Sequence, residues 1–197
     1  MSATHEHVDR SDEFLEQAFR EALIAAGVLS QAEVDERVEF MYSRSPALGA
    51  KVVARAWVDP AFKARLLADG SAAVRELGIE VGALKLVVVE NTPEAHNLIV
   101  CTLCSCYPRM LLGMPPDWYK SIPYRSRAIR EPRAVLAEFG THIAADRAVR
   151  VHDSTADMRY LVLPMRPPNT DGLSEEELQA IVSRDAMIGV VELRRDR

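Results

Sequence analysis

Cysteine is scarce in this sequence, and its distribution is the first informative feature. The chain of 197 residues contains three cysteines, Cys101, Cys104 and Cys106, and all of them fall within six consecutive positions. Disulfide frameworks need paired cysteines that are spread along the chain, so this cluster is a poor candidate for one. The pattern argues against a disulfide-stabilised extracellular protein and favours a reducing compartment.

The sequence also lacks an excess of positive charge and a long apolar run. The formal net charge is -5, and the arginines are dispersed among acidic residues, which leaves no basic surface typical of nucleic-acid binding. No segment approaches the roughly 20 apolar residues of a membrane span. No N-terminal stretch combines a basic start with an apolar run. We therefore expect a cytoplasmic protein that binds neither nucleic acid nor membrane.

The spacing of the three cysteines predicts a metal site. In the cysteine loop, residues 101–106, the pattern C-x-x-C-x-C places three potential thiolates within reach of one ion. If the sulfurs of Cys104 and Cys106 bind, the backbone amides of Ser105 and Cys106 lie between them and can complete a nearly planar set of nitrogen and sulfur ligands. Cys101 can place its sulfur on the axis below that plane. The opposite axial position then stays open for chemistry.

The nature of these ligands narrows the choice of metal. Thiolates together with deprotonated amides carry a large negative charge, which favours trivalent low-spin cobalt or iron. Zinc prefers four tetrahedral nitrogen or sulfur ligands, and His96 is the one nearby histidine that could supply a fourth. Spacing alone therefore leaves a second interpretation open, in which the chain is a non-enzymatic zinc-binding or redox thiol module.

The first part of the chain, residues 1–45, predicts a helical arm. Apolar residues recur with helical periodicity after residue 11, and Ser30 with Glu33 forms a capping box that starts a second helix. The apolar faces of both helices are thin. Periodicity alone does not distinguish a hairpin folded onto its own domain from an arm that grips a partner.

Residues 46–197 predict an α+β domain. Pro46 and Pro60 are placed to start helices, a helix over residues 123–139 is interrupted near Pro132, and Ser174 with Glu177 caps a later one. Strands are predicted at residues 84–90, 96–101, 147–153, 158–164 and 187–192. Helices that flank these strands indicate an α+β domain, and the cysteine loop begins where a strand ends.

The residues around the cysteine loop resemble the alpha subunit of nitrile hydratase. The resemblance is specific and covers most of the chain from about residue 49 onward. It rests on residues 100–108, 112–113, 115–120, 124–127, 130–133, 135–140, 158–164, 170–172, 174–178, 184–185 and 188–189.

The resemblance implies a fold and a modified metal centre. The implied architecture is a helical arm followed by helix, sheet, sheet and helix layers. In this family Cys104 is oxidised to sulfinate and Cys106 to sulfenate, whereas Cys101 stays a thiolate. Such oxidation tunes the Lewis acidity of the metal. Threonine at the position of Thr102 goes with cobalt and serine goes with iron, so we expect one cobalt(III) per alpha subunit.

The resemblance also implies an activity and partners. Nitrile hydratases add water to a nitrile, R-CN, and release the amide R-CONH2. The family makes Ser105 and Cys106 the candidate catalytic residues, with water or the Cys106 sulfenate oxygen as the nucleophile. The implied partners are a beta subunit, in one chain or split into two, which supplies two arginines to the oxidised sulfurs, and an activator protein that inserts cobalt.

Departures from the family pattern concern the substrate. Tyr107 and Arg109 are expected to line the substrate pocket, but many family members carry Trp-Pro where this chain has Arg109-Met110. Relatives often carry a glutamine near the site where this chain has Gly82-Ala83. Because the glutamine is missing here, no role is expected for it. With Arg109 at this position, the sequence also resembles the gamma subunit of thiocyanate hydrolase. Hydrolysis of thiocyanate is therefore the alternative function. A bulky polar nitrile such as the nucleoside toyocamycin is a further substrate candidate.

Overall fold

The computed structural model describes the backbone of residues 10–104 and 106–193, with side chains from residue 13 onward. Residues up to Ser43 form one compact unit, and residues from Arg44 form a second. The described chain contains both helices and strands, as the sequence predicts. No helix in the described part of the chain is both long and apolar enough to cross a bilayer.

The first unit contains two helices, α1 (Arg10–Ala25) and α2 (Gln31–Tyr42). The predicted capping box at the start of α2 is confirmed, because the Glu33 amide donates to Ser30 Oγ at 3.2 Å and the Ser30 amide donates to the Glu33 carboxylate at 2.7 Å. In α1, Phe14 is 70 % exposed and Phe19 is 67 % exposed. No described residue of α2 is buried. This unit therefore presents apolar surface rather than a core.

The second unit begins with three helices whose starts follow from the sequence. Pro46 occupies the first turn of α3 (Pro46–Val58). Asp59 caps α4 (Pro60–Ala68) by accepting from the Phe62 amide at 2.9 Å. Asp69 caps α5 (Gly70–Glu76) in the same way, through the Ala72 amide. Side-chain caps of this kind satisfy amides that have no partner within the helix.

The remaining elements continue to the end of the described chain. The strands are β1 (Lys85–Glu90), β2 (Ala95–Val100), β3 (Ala148–Asp153) and β4 (Met158–Leu163). The helices are α6 (Arg109–Leu112), α7 (Asp117–Lys120), α8 (Ile122–Arg130), α9 (Pro132–Glu138), α10 (Glu175–Ile181) and α11 (Arg184–Ile188). Four of the five predicted strands and the predicted break at Pro132 are therefore confirmed.

The strands form two parallel pairs. β1 pairs with β4 and β2 pairs with β3, so that β1 and β2 lie in different sheets, as do β3 and β4. Helices α4, α5 and α11 pack on the first pair, α8 and α9 pack on the second, and β2 contacts β4 between them. The result is the layer order helix, sheet, sheet, helix. All residues of β2 are buried, as expected for a strand covered on both faces.

The fifth predicted strand, at residues 187–192, is wrong. Ser183 caps α11 by accepting from the Ala186 amide at 3.2 Å, and Gly189 ends the helix in a left-handed conformation, with φ at +91°. The carbonyls that follow do not join a sheet ladder. That of Gly189 bonds to His96 Nε2 at 2.7 Å, and that of Val190 accepts from Thr141 Oγ1 at 2.8 Å. Side chains thus take the place of strand pairing.

Candidate metal centre

The cysteine sulfurs converge just beyond the end of β2. Cys101 Sγ lies 3.4 Å from Cys104 Sγ, Cys104 Sγ lies 3.1 Å from Cys106 Sγ, and all three atoms lie within 4.8 Å of one another. These distances exceed the ~2.05 Å of a disulfide bond, so the three groups are free thiols. Within the described residues, this is the one such group of three His, Cys, Asp or Glu ligands.

The electrostatics of the cluster favour a bound cation. Cys101 is buried, Cys106 is half-buried and Cys104 is exposed. Burial, together with the contact with Cys104, raises the pKa of the Cys106 thiol to about 12, although the charge of Arg159 opposes the shift. Thiols packed this closely do not ionise together unless a cation compensates their charge. The donor set therefore fits a thiophilic metal ion that displaces the protons.

The peptide group between Cys101 and Thr102 is fixed at both of its polar ends. Its carbonyl accepts from Arg125 Nε at 3.0 Å, and its N–H donates to Asp153 Oδ1 at 2.9 Å. Thr102 Oγ1 also donates to Asp153 Oδ2 at 2.5 Å, and the next carbonyl, that of Thr102, accepts from Arg125 at 2.8 Å. A guanidinium from α8 and a carboxylate at the end of β3 thus hold the start of the cysteine loop.

Tyrosines hold the two flanks of the loop. Tyr119 Oη donates to the Cys106 carbonyl at 2.9 Å, and Tyr124 Oη donates to the Ile99 carbonyl at 2.6 Å. Burial raises the pKa of both phenols, which keeps them protonated as donors. The ring of Trp118 packs edge-on against Tyr119 and Tyr124 and fixes both in place.

A cavity of about 370 Å³ opens beside the sulfurs. Its wall includes Cys104, Cys106, Tyr107, Arg109 and Arg159, and the rest is mostly aliphatic. The Tyr107 hydroxyl is buried and has no hydrogen-bond partner in the described structure, and burial raises its pKa. Arg109 is exposed. The cavity thus combines an apolar wall with two arginine side chains, and its volume suits a small organic substrate.

The structure brings some of the predicted site residues together and leaves others out. Cys101, Cys104 and Cys106 form one cluster, and Tyr107 and Arg109 line the adjacent cavity. Ser105 lies outside the described residues, so the roles expected for its amide and hydroxyl stay predictions.

His96 does not take part in the cluster. It lies on β2, five residues before Cys101, which is about 16 Å along a strand. Its side chain is fully buried, with Nε2 bonded to the Gly189 carbonyl and Nδ1 facing the amide of Asn91 at 3.4 Å. The zinc site that needs His96 as its fourth ligand is therefore not formed.

Sequence reasoning missed the residues that hold the loop. Asp153 ends β3, and its register partner Val100 immediately precedes Cys101. The parallel pairing of β2 with β3 would have placed Asp153 beside the loop, but sequence gave no sign of that pairing. Arg125, Tyr119 and Arg159 all fall in the segments that carry the family resemblance, which was the available signal.

Comparison with known proteins agrees with this geometry. Residues 10–191 match the family model described as nitrile hydratase, alpha chain. A cobalt-containing nitrile hydratase subunit alpha from Pseudonocardia thermophila is 50 % identical over 179 residues, which cover 88 % of this chain and 87 % of the relative. A thiocyanate hydrolase subunit gamma from Thiobacillus thioparus is 40 % identical over 190 residues, covering 90 % and 78 %.

Solved structures extend the likeness to the fold. An iron-type nitrile hydratase from Comamonas testosteroni Ni1, a double mutant, superposes with a TM-score of 0.89 at 42 % identity, covering 94 % of this chain and 92 % of the other. The predicted fold class and family are thereby confirmed. With its cysteine cluster at the end of β2 and a family match along nearly its whole length, the chain belongs to the nitrile hydratase alpha-chain family.

Proposed function

We propose that this chain is the cobalt-bearing alpha subunit of a nitrile hydratase, which converts a nitrile to its amide by addition of water. The observation that carries the proposal is the convergence of three thiols beside a mostly apolar cavity, on the scaffold of that family. Cobalt is preferred to iron because Thr102 stands at the position that distinguishes the two types. Three relatives that are 46–50 % identical are named as cobalt-containing.

The proposed ligands are the sulfurs of Cys101, Cys104 and Cys106 with the amide nitrogens of Ser105 and Cys106. When bound, cobalt(III) would supply a strong Lewis acid that makes the weakly electrophilic nitrile carbon reactive toward water. Oxidation of Cys104 to sulfinate and Cys106 to sulfenate would place polar oxygens at the cavity wall. The Cys106 oxygen and the Ser105 hydroxyl would then face the reacting nitrile and position or accept a proton from water.

The cavity residues have defined parts in this proposal. Tyr107 lines the cavity, and its ring would contact the apolar part of the substrate. Arg109 and Arg159 supply positive charge at the same wall, which favours electron-rich or polar substrates over simple aliphatic nitriles. A bulky polar nitrile such as toyocamycin fits this chemistry.

The active form would be a complex with a beta subunit, in one chain or two. Oxidised cysteine oxygens carry charge and need cationic partners in a site screened from water. Leu103 of the cysteine loop is 86 % exposed, which favours a covering chain at this face. The apolar side chains exposed on α1 support the same partner for the arm. Delivery of cobalt would require an activator protein.

A second candidate, the gamma subunit of a thiocyanate hydrolase, is favoured by one observation. Arg109 replaces the aromatic residue common in nitrile hydratases, and a guanidinium in the cavity attracts the thiocyanate anion. The two functions separate in one assay of the co-expressed complex. Amide formation from nitriles, with thiocyanate untouched, is the expected result. Consumption of thiocyanate without amide formation would replace the main proposal by the second.

A further inference from the structure

Helices α7 and α8 form a row of hydrogen-bond donors that faces the backbone of the cysteine loop. Tyr119 bonds to the Cys106 carbonyl at 2.9 Å. Arg125 bonds to the Cys101 carbonyl at 3.0 Å and to the Thr102 carbonyl at 2.8 Å. These bonds are directed at main-chain oxygens and not at sulfurs, so they constrain the path of the loop without occupying its ligand atoms.

Arg125 holds the most informative position in this row. The carbonyl it binds on Cys101 and the N–H of Thr102 belong to one planar peptide group, and that N–H is bound by Asp153 at 2.9 Å. A rigid peptide plane fastened at both ends has a fixed orientation. Because β2 holds the preceding residue, Val100, this plane restricts the backbone angle ψ of Cys101 and with it the direction of the Cα–Cβ bond. Charged hydrogen-bonding groups at both ends make the fastening strong.

The curl that brings the sulfurs within 4.8 Å of one another is thus held by side chains that bind main-chain oxygens and leave the sulfurs free to act as ligands. A ligand set that is already arranged loses less conformational entropy on binding than a flexible loop does. We propose that Arg125 is a positioning residue that preforms the cysteine loop for metal capture, acting through the carbonyls of Cys101 and Thr102.

This inference rests on the proposed metal site, and its test separates the two. The variants are Arg125→Met, which removes both bonds, and Arg125→Lys, which keeps the charge and one donor group. The matched control is Arg130→Met on the same helix, because Arg130 Nε bonds to the Ser126 carbonyl at 3.2 Å and the side chain is exposed. All are prepared as complexes with the partner subunit, with and without cobalt.

The first readout does not involve the metal. Hydrogen exchange of the peptide spanning residues 101–106 is measured in the cobalt-free complex. We expect exchange at least tenfold faster in Arg125→Met than in the native chain, since each lost charged bond is worth about 1–2 decades of protection. Arg125→Lys should fall between the two, and Arg130→Met should match the native chain.

The second readout is the rate at which bound cobalt is lost to a chelator. Loss should be at least tenfold faster in Arg125→Met, with partial recovery in Arg125→Lys. Equal exchange and equal cobalt loss in Arg125→Met and the native chain would overturn the inference. If Arg125→Met does not fold, the Arg125→Lys result decides in the same way. Failure of the native complex to retain cobalt would instead overturn the proposed function.

Discussion

Replacement of Gly189 by alanine is expected to destabilise the second unit strongly. The residue has φ at +91°, and an added Cβ would lie 2.0 Å from the Asn97 carbonyl oxygen. The left-handed backbone costs a non-glycine residue about 1–2 kcal/mol, and relief of the overlap costs about 1–3 kcal/mol. Movement of the Gly189 carbonyl also leaves the buried His96 Nε2 without its partner, at about 1–3 kcal/mol. Together the loss is roughly 3–8 kcal/mol in the free energy of unfolding.

A matched substitution isolates the overlap from the backbone strain. Gly172 has φ at +84°, and nothing lies within 4 Å of the position of its Cβ. Gly172→Ala should therefore lose about 1–2 kcal/mol. Urea unfolding of both variants is followed by the fluorescence of Trp57 and Trp118, which lie in the second unit. Equal losses in the two variants would show that the contact between Gly189 and β2 is not what fixes the C-terminal segment.

Three further predictions follow from the same structure. Burial holds the pKa of His96 below 6.5. Below that pH the unfolded chain therefore binds more protons at this residue than the folded chain does. The free energy of unfolding should then fall by up to ~1.4 kcal/mol per pH unit as pH drops below about 6.5. A urea midpoint that is constant across this range would contradict the prediction. Thr102→Ser keeps the hydroxyl that bonds Asp153 and should retain the native melting temperature, whereas a loss of folding would show that the methyl group is essential. Cys101→Ala should leave the complex without bound cobalt by metal analysis, and retained cobalt would refute the ligand set.

The elements that sequence predicted well are those determined by local chemistry. The capping box of Ser30 and Glu33, the helix starts at Pro46 and Pro60, and the break at Pro132 depend on a few neighbouring residues. β1 contains a run of three valines, which is a local signal for a strand. Such features do not require knowledge of the rest of the fold.

The elements that sequence missed depend on contacts between distant segments. Residues 187–192 are rich in β-formers, but Gly189 ends a helix there, and the carbonyl groups that follow are bound by His96 and Thr141 from elsewhere in the chain. Periodicity does not indicate such partners. In the same way, β3 and β4 are consecutive, yet they pair in parallel with β2 and β1 and not with each other.

The cysteine cluster could be predicted from the sequence, but the residues that hold the cysteine loop in place could not. The spacing of Cys101, Cys104 and Cys106 already limits the sulfurs to one small region. The positions of Asp153 and Arg125 follow from the register of β2 with β3 and from the docking of α8 on β2. Both depend on tertiary contacts. Such contacts determine how the cysteine loop is held, whereas the local spacing of the cysteines determines what the loop can bind.

The most direct test of the account is a combined metal and mass analysis of the complex with its partner subunit. The tryptic segment of residues 86–109 contains all three cysteines. We expect about one cobalt per chain, with two added oxygens on Cys104, one on Cys106 and none on Cys101. Zinc at the same stoichiometry, with three unmodified thiols, would contradict it.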